Sequence, residues 1–466
     1  MYDIVVIGGG PGGYVAAIRA AQLGAKVACV EAVRVGGTCL NRGCIPTKTL
    51  VRSAEILENC RHASKFGVNA GEASIDMPAV IARKNQVVAN LTGGVEKLFK
   101  AYGVEFFPGR ASVPSPDRVV VALNAGGTET LATKHIILAT GSKSQLPPLP
   151  KEQLALTISS DEALNLQHVP ESMLVIGGGV LGIEFACIYN AFGAKVTAIK
   201  RTPLILPPID PEISQRLALI LKRQGITINT GVYMREIFAR GGKKVLTAEQ
   251  DGKPVEYEVD TILVAMGRVP EFGGIDLDAL GVAYDKSGIK VDEWLRTSVP
   301  TIYAIGDCVG KFMLAPVASA EGVAAVEHAM GHPRKLDYSV VPNCVFSHPE
   351  VASVGLTETQ AQDKGFEPKV SKFLMSANGR ALAIGQSEGV VKLVADAKTG
   401  KVLGLHILGP FACDLIHEGS IALKTGAKAE DLSDILVHAH PTLSETVMEA
   451  AHGVHGDPIH MAPRRR

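Results

Sequence analysis

Two short apolar runs, Ile4-Val5-Val6-Ile7 and Leu174-Val175-Ile176, are bounded by glycine and fit strands buried on both faces. Each leads into a glycine-rich turn, Gly8-Gly9-Gly10-Pro11-Gly12-Gly13 and Gly177-Gly178-Gly179-Val180-Leu181-Gly182. A helix is predicted after each turn, to about Leu23 and to about Phe192, with Gly24 and Gly193 as the stops. Lys26-Val27-Ala28-Cys29-Val30 and Val196-Thr197-Ala198-Ile199 then read as the following strands. Val80, Val87, Val88, Leu91, Val95, Leu98 and Phe99 recur at the spacing of an amphipathic helix over about 79–100. A further alanine-rich helix is predicted from near Pro316, proline being favoured in the first turn, to about Met330, before Gly331. Val390–Val394 and Val402–Ile407 flank the turn signal Lys398-Thr399-Gly400-Lys401, a hairpin pattern.

The first two patterns are copies of one unit. Gly8, Gly10 and Gly13 recur as Gly177, Gly179 and Gly182 at a constant offset of 169, and Gly24-Ala25-Lys26-Val27 recurs as Gly193-Ala194-Lys195-Val196. Both copies satisfy G-x-G-x-x-G between a strand and a helix, the setting in which that motif binds dinucleotides. The first glycine allows the tight turn, the second admits pyrophosphate, and the third lets helix pack on strand. The helix N-terminus presents N–H groups and a positive dipole end to phosphate. Glu31, eighteen residues after Gly13, can accept from ribose hydroxyls, which suits FAD. The same offset in the second copy lands on Lys200, followed by Arg201. A cation there can hold a 2′-phosphate, worth about 1.5–3 kcal/mol as a charge-assisted bond, or roughly 10- to 150-fold in preference for NADP. The competing reading is that both cations reach into solvent and select nothing.

Composition narrows the class. At 466 residues, two to four domains are expected. Hydrophobic residues at 46% and charged residues at 20% argue for a globular chain rather than disorder. Lys+Arg and Asp+Glu both number 47, so the net charge is zero and a broad nucleic-acid footprint is disfavoured, although Arg464-Arg465-Arg466 is locally basic. No apolar run reaches the roughly 18 residues of a membrane span. Tyr2–Ile7 reads as a strand rather than a signal peptide, so a cytoplasmic protein is expected.

Eight cysteines in such a chain do not argue for four structural disulfides, and most read as small buried apolar groups. Cys39 and Cys44 are the exception, within Gly36-Gly37-Thr38-Cys39-Leu40-Asn41-Arg42-Gly43-Cys44-Ile45-Pro46-Thr47-Lys48. No second ligand pair follows to complete a zinc site. Two thiols so close on a helix-opening turn can bridge, and a helix N-terminus with a nearby cation would lower a thiol pKa. A redox-active disulfide beside a flavin accounts for spacing and position; the alternative is two unrelated buried cysteines.

On these residues the chain resembles the flavin-containing pyridine nucleotide–disulfide oxidoreductases over essentially its whole length. The most specific pieces are the run at 36–48 and His438-Ala439-His440-Pro441-Thr442-Leu443-Ser444-Glu445, the latter typical of the branch that acts on dihydrolipoyl groups. The resemblance implies that Cys39 exchanges with the lipoyl disulfide and that Cys44 sits against the flavin. It implies that Lys48 lies near the flavin and pairs with Glu184. Ala139-Thr140-Gly141-Ser142 would be the crossing from the FAD domain into the NAD domain, and Ala265-Met266-Gly267-Arg268-Val269-Pro270 the exit. Gly109 matches a further FAD contact, and Asp307, in Tyr303-Ala304-Ile305-Gly306-Asp307, would bond the cofactor's ribityl or linker hydroxyls, with Met313 and Ala315 beside it. The bland reading of Asp307 is a helix cap or loop carboxylate. Members of the lipoamide branch often carry His where Pro316 stands; the dipole of the helix that begins there still favours the negative charge of reduced flavin.

The chemistry needs a base, because a dithiol must lose a proton before its thiolate attacks a disulfide. An imidazole suits that role, and Glu445, five residues after His440, can accept from its other ring N–H. The resemblance selects His440 over His438 and implies that the base comes from the partner subunit of a homodimer. A metal cluster of His438, His440, His452, His455 and His460, or histidines without a role, are the competing readings; no metal is expected.

The expected fold is α/β, with two Rossmann-like, doubly wound nucleotide-binding domains and a C-terminal α+β dimerisation domain. Residues 1–146 would bind FAD, 147–271 would bind NAD or NADP, 272–337 would complete the FAD site, and 338–466 would form the dimer interface. The leading function is oxidation of dihydrolipoyl groups through a Cys39–Cys44 disulfide and FAD to reduce NAD(P). The partner would be a lipoyl-bearing domain of the 2-oxoacid dehydrogenase or glycine cleavage type, with no nucleic acid and no membrane. The alternative is NADPH-dependent reduction of another disulfide such as glutathione. A mercuric reductase is disfavoured because no Cys follows Cys413, and a non-catalytic docking subunit because Cys39, Cys44, His440 and Glu445 are all present.

Overall fold

Because β-branched residues fit a pleated surface, the run Tyr2–Ile7 forms a strand, and with both neighbours parallel it sits fully inside a sheet. The computed structural model describes residues 1–456 and 458–462; the basic tail Arg464-Arg465-Arg466 lies outside the described residues. The chain divides into two units. One holds Met1–Pro150, Thr157–Val169 and Leu263–Leu336; the other holds Lys151–Leu156, Pro170–Ile262 and Asp337–Arg466.

In the first unit, Tyr2–Ile7 pairs in parallel with Val27–Glu31 on one side and Thr128–Leu138 on the other. The outer parallel neighbours are Glu105–Ser115 beside Val27–Glu31 and Ile302–Ala304 beside Thr128–Leu138. Glu105–Ser115, Arg118–Leu123 and Thr128–Leu138 continue beyond the parallel part as an antiparallel layer. The helix Pro11–Gln22 follows the first glycine turn, and Gly24 adopts φ 83°, as expected of the stop. The helix Ala315–Ala329 lies against it through small residues. A Cβ on Gly322 would stand 2.5 Å from the Gly12 carbonyl oxygen, and one on Gly12 would stand 3.1 Å from that of Ala318. Ser142–Ser144 and Arg268–Pro270 pair antiparallel, so the two crossing segments form one ribbon.

The amphipathic helix exists as Met77–Tyr102, capped by Asp76, whose carboxylate accepts from the Ala79 N–H at 3.0 Å. Its buried stripe is Met77, Val80, Ile81, Lys84, Val88, Thr92, Val95 and Phe99. Leu91 and Leu98, expected on that stripe, are 41% and 44% exposed. At 3.6 residues per turn they fall roughly 60–80° from the direction of Val88, on the rim. Lys84 lies inside the stripe because its ammonium donates to the Leu164 carbonyl at 3.0 Å and to Asn165 at 2.6 Å.

In the second unit, Ser172–Ile176, Lys195–Lys200 and Thr227–Thr230 form a parallel sheet, with Thr261–Val264 on the far edge. The helix Val180–Phe192 follows the second glycine turn and ends at Gly193, φ 113°. Three antiparallel strands, Val232–Arg240, Lys243–Gln250 and Lys253–Val259, extend this part. The C-terminal part is a five-stranded antiparallel sheet in the order 343–345, 350–355, 402–409, 390–396, 368–374. Its central hairpin is the one expected, and every residue of both strands is buried. The helices Ala412–Thr425 and Glu445–His455 cover it. Lys392, in this sheet, forms a buried ion pair with Asp210 at 2.9 Å, and Asp210 also caps the helix Pro211–Arg223. The architecture is therefore α/β with two Rossmann-like halves and a C-terminal α+β part. Among the described residues, no helix is long and apolar enough to cross a membrane.

Replacing Gly322 by Ala should cost about 1–3 kcal/mol by overpacking, since the blocking atom is backbone. Urea unfolding of the purified variant measures this; an unchanged midpoint would mean that the two helices can part freely.

Candidate active site

The first glycine turn is shaped by atoms that leave no room for a Cβ. One on Gly8 would stand 2.2 Å from the Ala139 oxygen, and one on Gly13 would stand 1.8 Å from the Gly8 oxygen. The helix that follows starts at Gly10 with Pro11 next, and no side chain caps it. Its N–H groups are thus available to an anion. Glu31 latches the turn: its carboxylate accepts from the Gly9 N–H and the Val33 N–H, each at 2.8 Å. Each oxygen of such a carboxylate keeps a further lone pair for a hydroxyl. The helix Ala315–Ala329 starts at Leu314, also without a side-chain cap, just after Met313 and with Ala315 as its first residue.

Between these helices' starts and the crossing ribbon runs a polar chain. Ser142 donates to Asp307, the Arg268 Nε donates to Ser142 Oγ at 2.7 Å, and the same guanidinium reaches the Ser142 carbonyl at 2.6 Å and Thr38 Oγ1 at 3.4 Å. Burial pulls the Arg268 pKa down, against the pull of Asp307 and Asp161. The Thr140 hydroxyl donates to the Glu271 carbonyl at 2.6 Å, and Gly141 takes φ 77°. Glu321, fully buried, accepts from the Gly306 N–H at 2.6 Å and holds the turn that presents Asp307. Arg268 lies in the exit segment quoted above but has no role of its own legible there, and Glu321 lies in no motif. Gly109 lies in its strand where a Cβ would stand 2.4 Å from the Ala122 oxygen, so strand packing alone requires it. Two uncapped helix starts, a latched glycine turn and a hydroxyl–carboxylate pair suit a dinucleotide such as FAD.

The dithiol sits where one helix breaks into another. Gly37–Arg42 carries Cys39, Gly43 breaks the helix, and Cys44 opens Cys44–Arg61. A Cβ on Gly43 would press on the Thr38 oxygen at 3.0 Å. Both residues are thiols, hydrogen-bonded to each other. That bond, burial and the neighbouring Cys44 charge raise the Cys39 pKa, and the Lys48 charge pulls it down. The expected lowering by helix start and cation is thus outweighed in the reduced pair, where the two sulfurs compete for protons. Lys48 stands one turn after Cys44 on the same helix and is half-buried.

In the second unit, His440 and Glu445 meet: Nδ1 lies 2.9 Å from Glu445 Oε1. The other carboxylate oxygen accepts from the Thr442 N–H at 2.8 Å. Burial raises the Glu445 pKa, but the Thr442 N–H and the His440 hydrogen bond outweigh it, so the carboxyl is held below its usual range. The His440 side chain is 78% exposed, and with Nδ1 engaged, Nε2 is the nitrogen that can take a proton from a substrate. His438 is different: its side chain is 5% exposed and its Nε2 pairs with Glu418 at 2.8 Å. His452 and His460 pair with Asp434 and Glu449. Among the described residues, no group of three or more His, Cys, Asp or Glu side chains is placed to hold a metal ion.

The second glycine turn repeats the first. A Cβ on Gly182 would stand 2.0 Å from the Gly177 oxygen, and the helix start at Gly179 has no side-chain cap. Lys200 lies along the turn, its Cδ 2.9 Å from where a Gly178 Cβ would be, as Glu31 lies on Gly9 in the first copy. Burial and the adjacent Arg201 lower its pKa. Arg201 is exposed. Glu184 is buried and accepts from the Phe346 N–H at 3.0 Å. Gly267, at φ 113°, belongs to the first unit.

Similarity to known proteins agrees with this chemistry. The family model "Pyridine nucleotide-disulphide oxidoreductase" matches residues 2–322, and that of its dimerisation domain matches 341–451. The chain is 42% identical to a dihydrolipoyl dehydrogenase of Bacillus subtilis, covering 98% of this chain and 99% of the relative. It is 41% identical to a leghemoglobin reductase of Glycine max, over 98% of this chain and 88% of the relative. Among solved structures, an HOCl-induced flavoprotein disulfide reductase of Escherichia coli, in complex with Cu(II), superposes with TM-score 0.87 at 28% identity, over 97% of this chain and 99% of that one.

Glu445, with its pKa lowered from the ordinary value of 4.5, should stabilise the fold fully above that value and lose the effect as pH falls through the lowered one. Urea midpoints of the native chain and Glu445→Gln should therefore differ at neutral pH and converge in acid. A gap that persists unchanged in strong acid would refute the carboxylate's role.

Proposed function

The chain belongs to the pyridine nucleotide–disulphide oxidoreductase family, and from that premise we propose that it is an FAD-dependent dihydrolipoyl dehydrogenase with NAD(P) as acceptor. The supporting observation is one chain that carries the Cys39/Cys44 pair and the His440–Glu445 pair, with full-length relatives of that activity. His440 takes a proton from the substrate dithiol, and Glu445 fixes its tautomer and balances the imidazolium. The substrate thiolate attacks Cys39, and Cys44 leaves as a thiolate. The second substrate sulfur then attacks the first, and Cys39 leaves, so the substrate departs as a disulfide and the pair is reduced. FAD, held by the Gly8–Gly13 turn, Glu31, the 140–142 crossing, Asp307 and the 313–315 helix start, supplies the two-electron link to the nucleotide. Lys48, through its charge, favours the thiolate of the reduced pair, and its partner in this reading is Glu184. The nucleotide lies on Gly177, Gly179, Gly182 and Glu184, with Gly267 at the exit segment. The dimerisation part brings two copies together, and in this reading His440 serves the partner's dithiol. A lipoyl-bearing domain in the cytoplasm is the substrate carrier.

A second reading, NADPH-driven reduction of another disulfide, draws on Lys200 and Arg201, which stand where a ribose-binding carboxylate would select NAD. Initial rates with dihydrolipoamide and with NAD or NADP at equal concentration separate the two. Rapid turnover with either supports the first reading; yellow protein with no rate on dihydrolipoamide, but with NADPH-dependent reduction of glutathione disulfide, supports the second.

His440→Gln should lower kcat with dihydrolipoamide about 10²- to 10⁴-fold, while flavin content stays constant. Lys200→Glu should lower the NADP/NAD ratio of kcat/KM roughly 10- to 150-fold. An unchanged ratio would show that Lys200 merely covers Gly178.

A further inference from the structure

A second cysteine pair lies in the second unit, on residues that no part of the proposed reaction uses. Cys344 is in the strand Asn343–Val345, and Cys413 is the second residue of the helix Ala412–Thr425. They are 69 residues apart, yet each sulfur lies against the other's backbone neighbourhood. Cys344 Sγ is 4.0 Å from the Cys413 carbonyl oxygen, and Cys413 Sγ is 3.9 Å from that of Val345 and 3.8 Å from that of Val351. The two thiols are hydrogen-bonded to each other. Cys413 is buried and Cys344 is partly accessible, so one sulfur can meet a small oxidant and the other can resolve it.

The segment after Cys344 is a strap across the second glycine-turn helix. The Phe346 N–H holds the Glu184 carboxylate at 3.0 Å, and the backbone of His348 lies against the Cys187 sulfur, one turn further along that helix. Glu350, at the far end of the strap, accepts from the Cys413 N–H at 3.0 Å. Two residues before Cys413, Phe411 takes φ 54°, a strained value for a phenylalanine. Closing a disulfide needs the sulfurs at about 2.0 Å, which draws Cys344 toward Cys413 and shifts the strap, whose Phe346, two residues after Cys344, holds Glu184.

We propose that Cys344 and Cys413 form a second redox pair, oxidised by hydrogen peroxide to a disulfide that shifts the Phe346–Glu184 contact and weakens nucleotide binding. The Cys344 sulfur attacks a peroxide oxygen, the O–O bond breaks, and the products are a sulfenic acid and water. The Cys413 sulfur then attacks the sulfenic sulfur, the S–O bond breaks, and a second water leaves with the Cys413 proton. Two electrons leave the two sulfurs, and one peroxide becomes two waters. A dithiol reverses the step by exchange. The Cys344 hydrogen bond, burial and the Glu350 charge disfavour a Cys413 thiolate.

The test treats the holoenzyme with peroxide, alkylates it and digests it with trypsin without reductant. Residues 336–364 and 402–424 are tryptic peptides that carry one cysteine each, Cys344 and Cys413. The expected result is a cross-link between them that a dithiol removes. Recovery of both peptides unlinked overturns the proposal, independently of whether dihydrolipoamide is the substrate. The nucleotide KM should rise about 2- to 30-fold on oxidation, the range of coupling through a strained element, and recover on reduction. Cys413→Ala and Cys344→Ser should keep the basal rate and lose the shift. A cross-link without a KM change, or a shift that persists in both variants, refutes the coupling to Glu184.

Discussion

The structure depends on one close approach. In each glycine turn the third glycine of the motif lies where any side chain would strike the carbonyl of the first: 1.8 Å for Gly13 on Gly8 and 2.0 Å for Gly182 on Gly177. This contact seats the helix directly on the end of its strand. The uncapped N–H groups of the helix then point past the turn, and a bound pyrophosphate can satisfy them. A side chain at either position would push the helix off the sheet and close the anion site in the same movement. The latching residue is placed by the same geometry, since the end of the next strand returns beside the turn. That is why Glu31 and Lys200, at matching positions, lie on Gly9 and Gly178, the residue after the first motif glycine, while carrying opposite charge.

Around these turns, buried and half-buried charges fix backbone. Glu321 holds Gly306, the Arg268–Ser142–Asp307 chain holds the crossing ribbon, and Glu184 holds Phe346. Lys392 and Asp210 join the C-terminal sheet to the cap of the Pro211–Arg223 helix. A buried charge with a backbone partner is costly to move, because displacement leaves an ion without compensation in a low dielectric. Loops with glycine on nearly every position would otherwise be loose. The unit thus combines glycine, which permits the turn, with carboxylates and a guanidinium, which remove the freedom that glycine brings.

Sequence reasoning reached what is periodic or local. The two strand–turn–helix copies, their stops at Gly24 and Gly193, the helix from Ala315 and the hairpin around Gly400 all rest on short-range pattern, and the structure has them. The His440–Glu445 contact was within reach because five residues separate the partners. Partners distant in sequence were not legible. Arg268 reaches Thr38 across 230 residues, and Lys84 sits in an apolar stripe only because Leu164 and Asn165 accept from it. Leu91 and Leu98 failed for the opposite reason: periodicity gives the direction of a stripe but not its width. The fall in thiol pKa expected from a helix start and Lys48 was also only half the account, because the second sulfur, five residues away, acts in the other direction.

The two cysteine pairs show what sequence separation conceals and what environment decides. Cys39 and Cys44 announce themselves by a five-residue step over a glycine break, with Lys48 one turn away to favour a thiolate. Cys344 and Cys413 are 69 residues apart and look like two of six ordinary apolar cysteines until the chain is folded. Their surroundings differ in sign: the first pair has a cation, and the second has Glu350, which opposes a thiolate and accepts from the Cys413 N–H. Thiol–disulfide exchange proceeds through the thiolate, so Lys48 favours exchange at the pair it faces and Glu350 opposes it. In both pairs burial and the second sulfur raise the thiol pKa, so the charge beside each pair, Lys48 or Glu350, adjusts a balance in which the neighbouring sulfur weighs most.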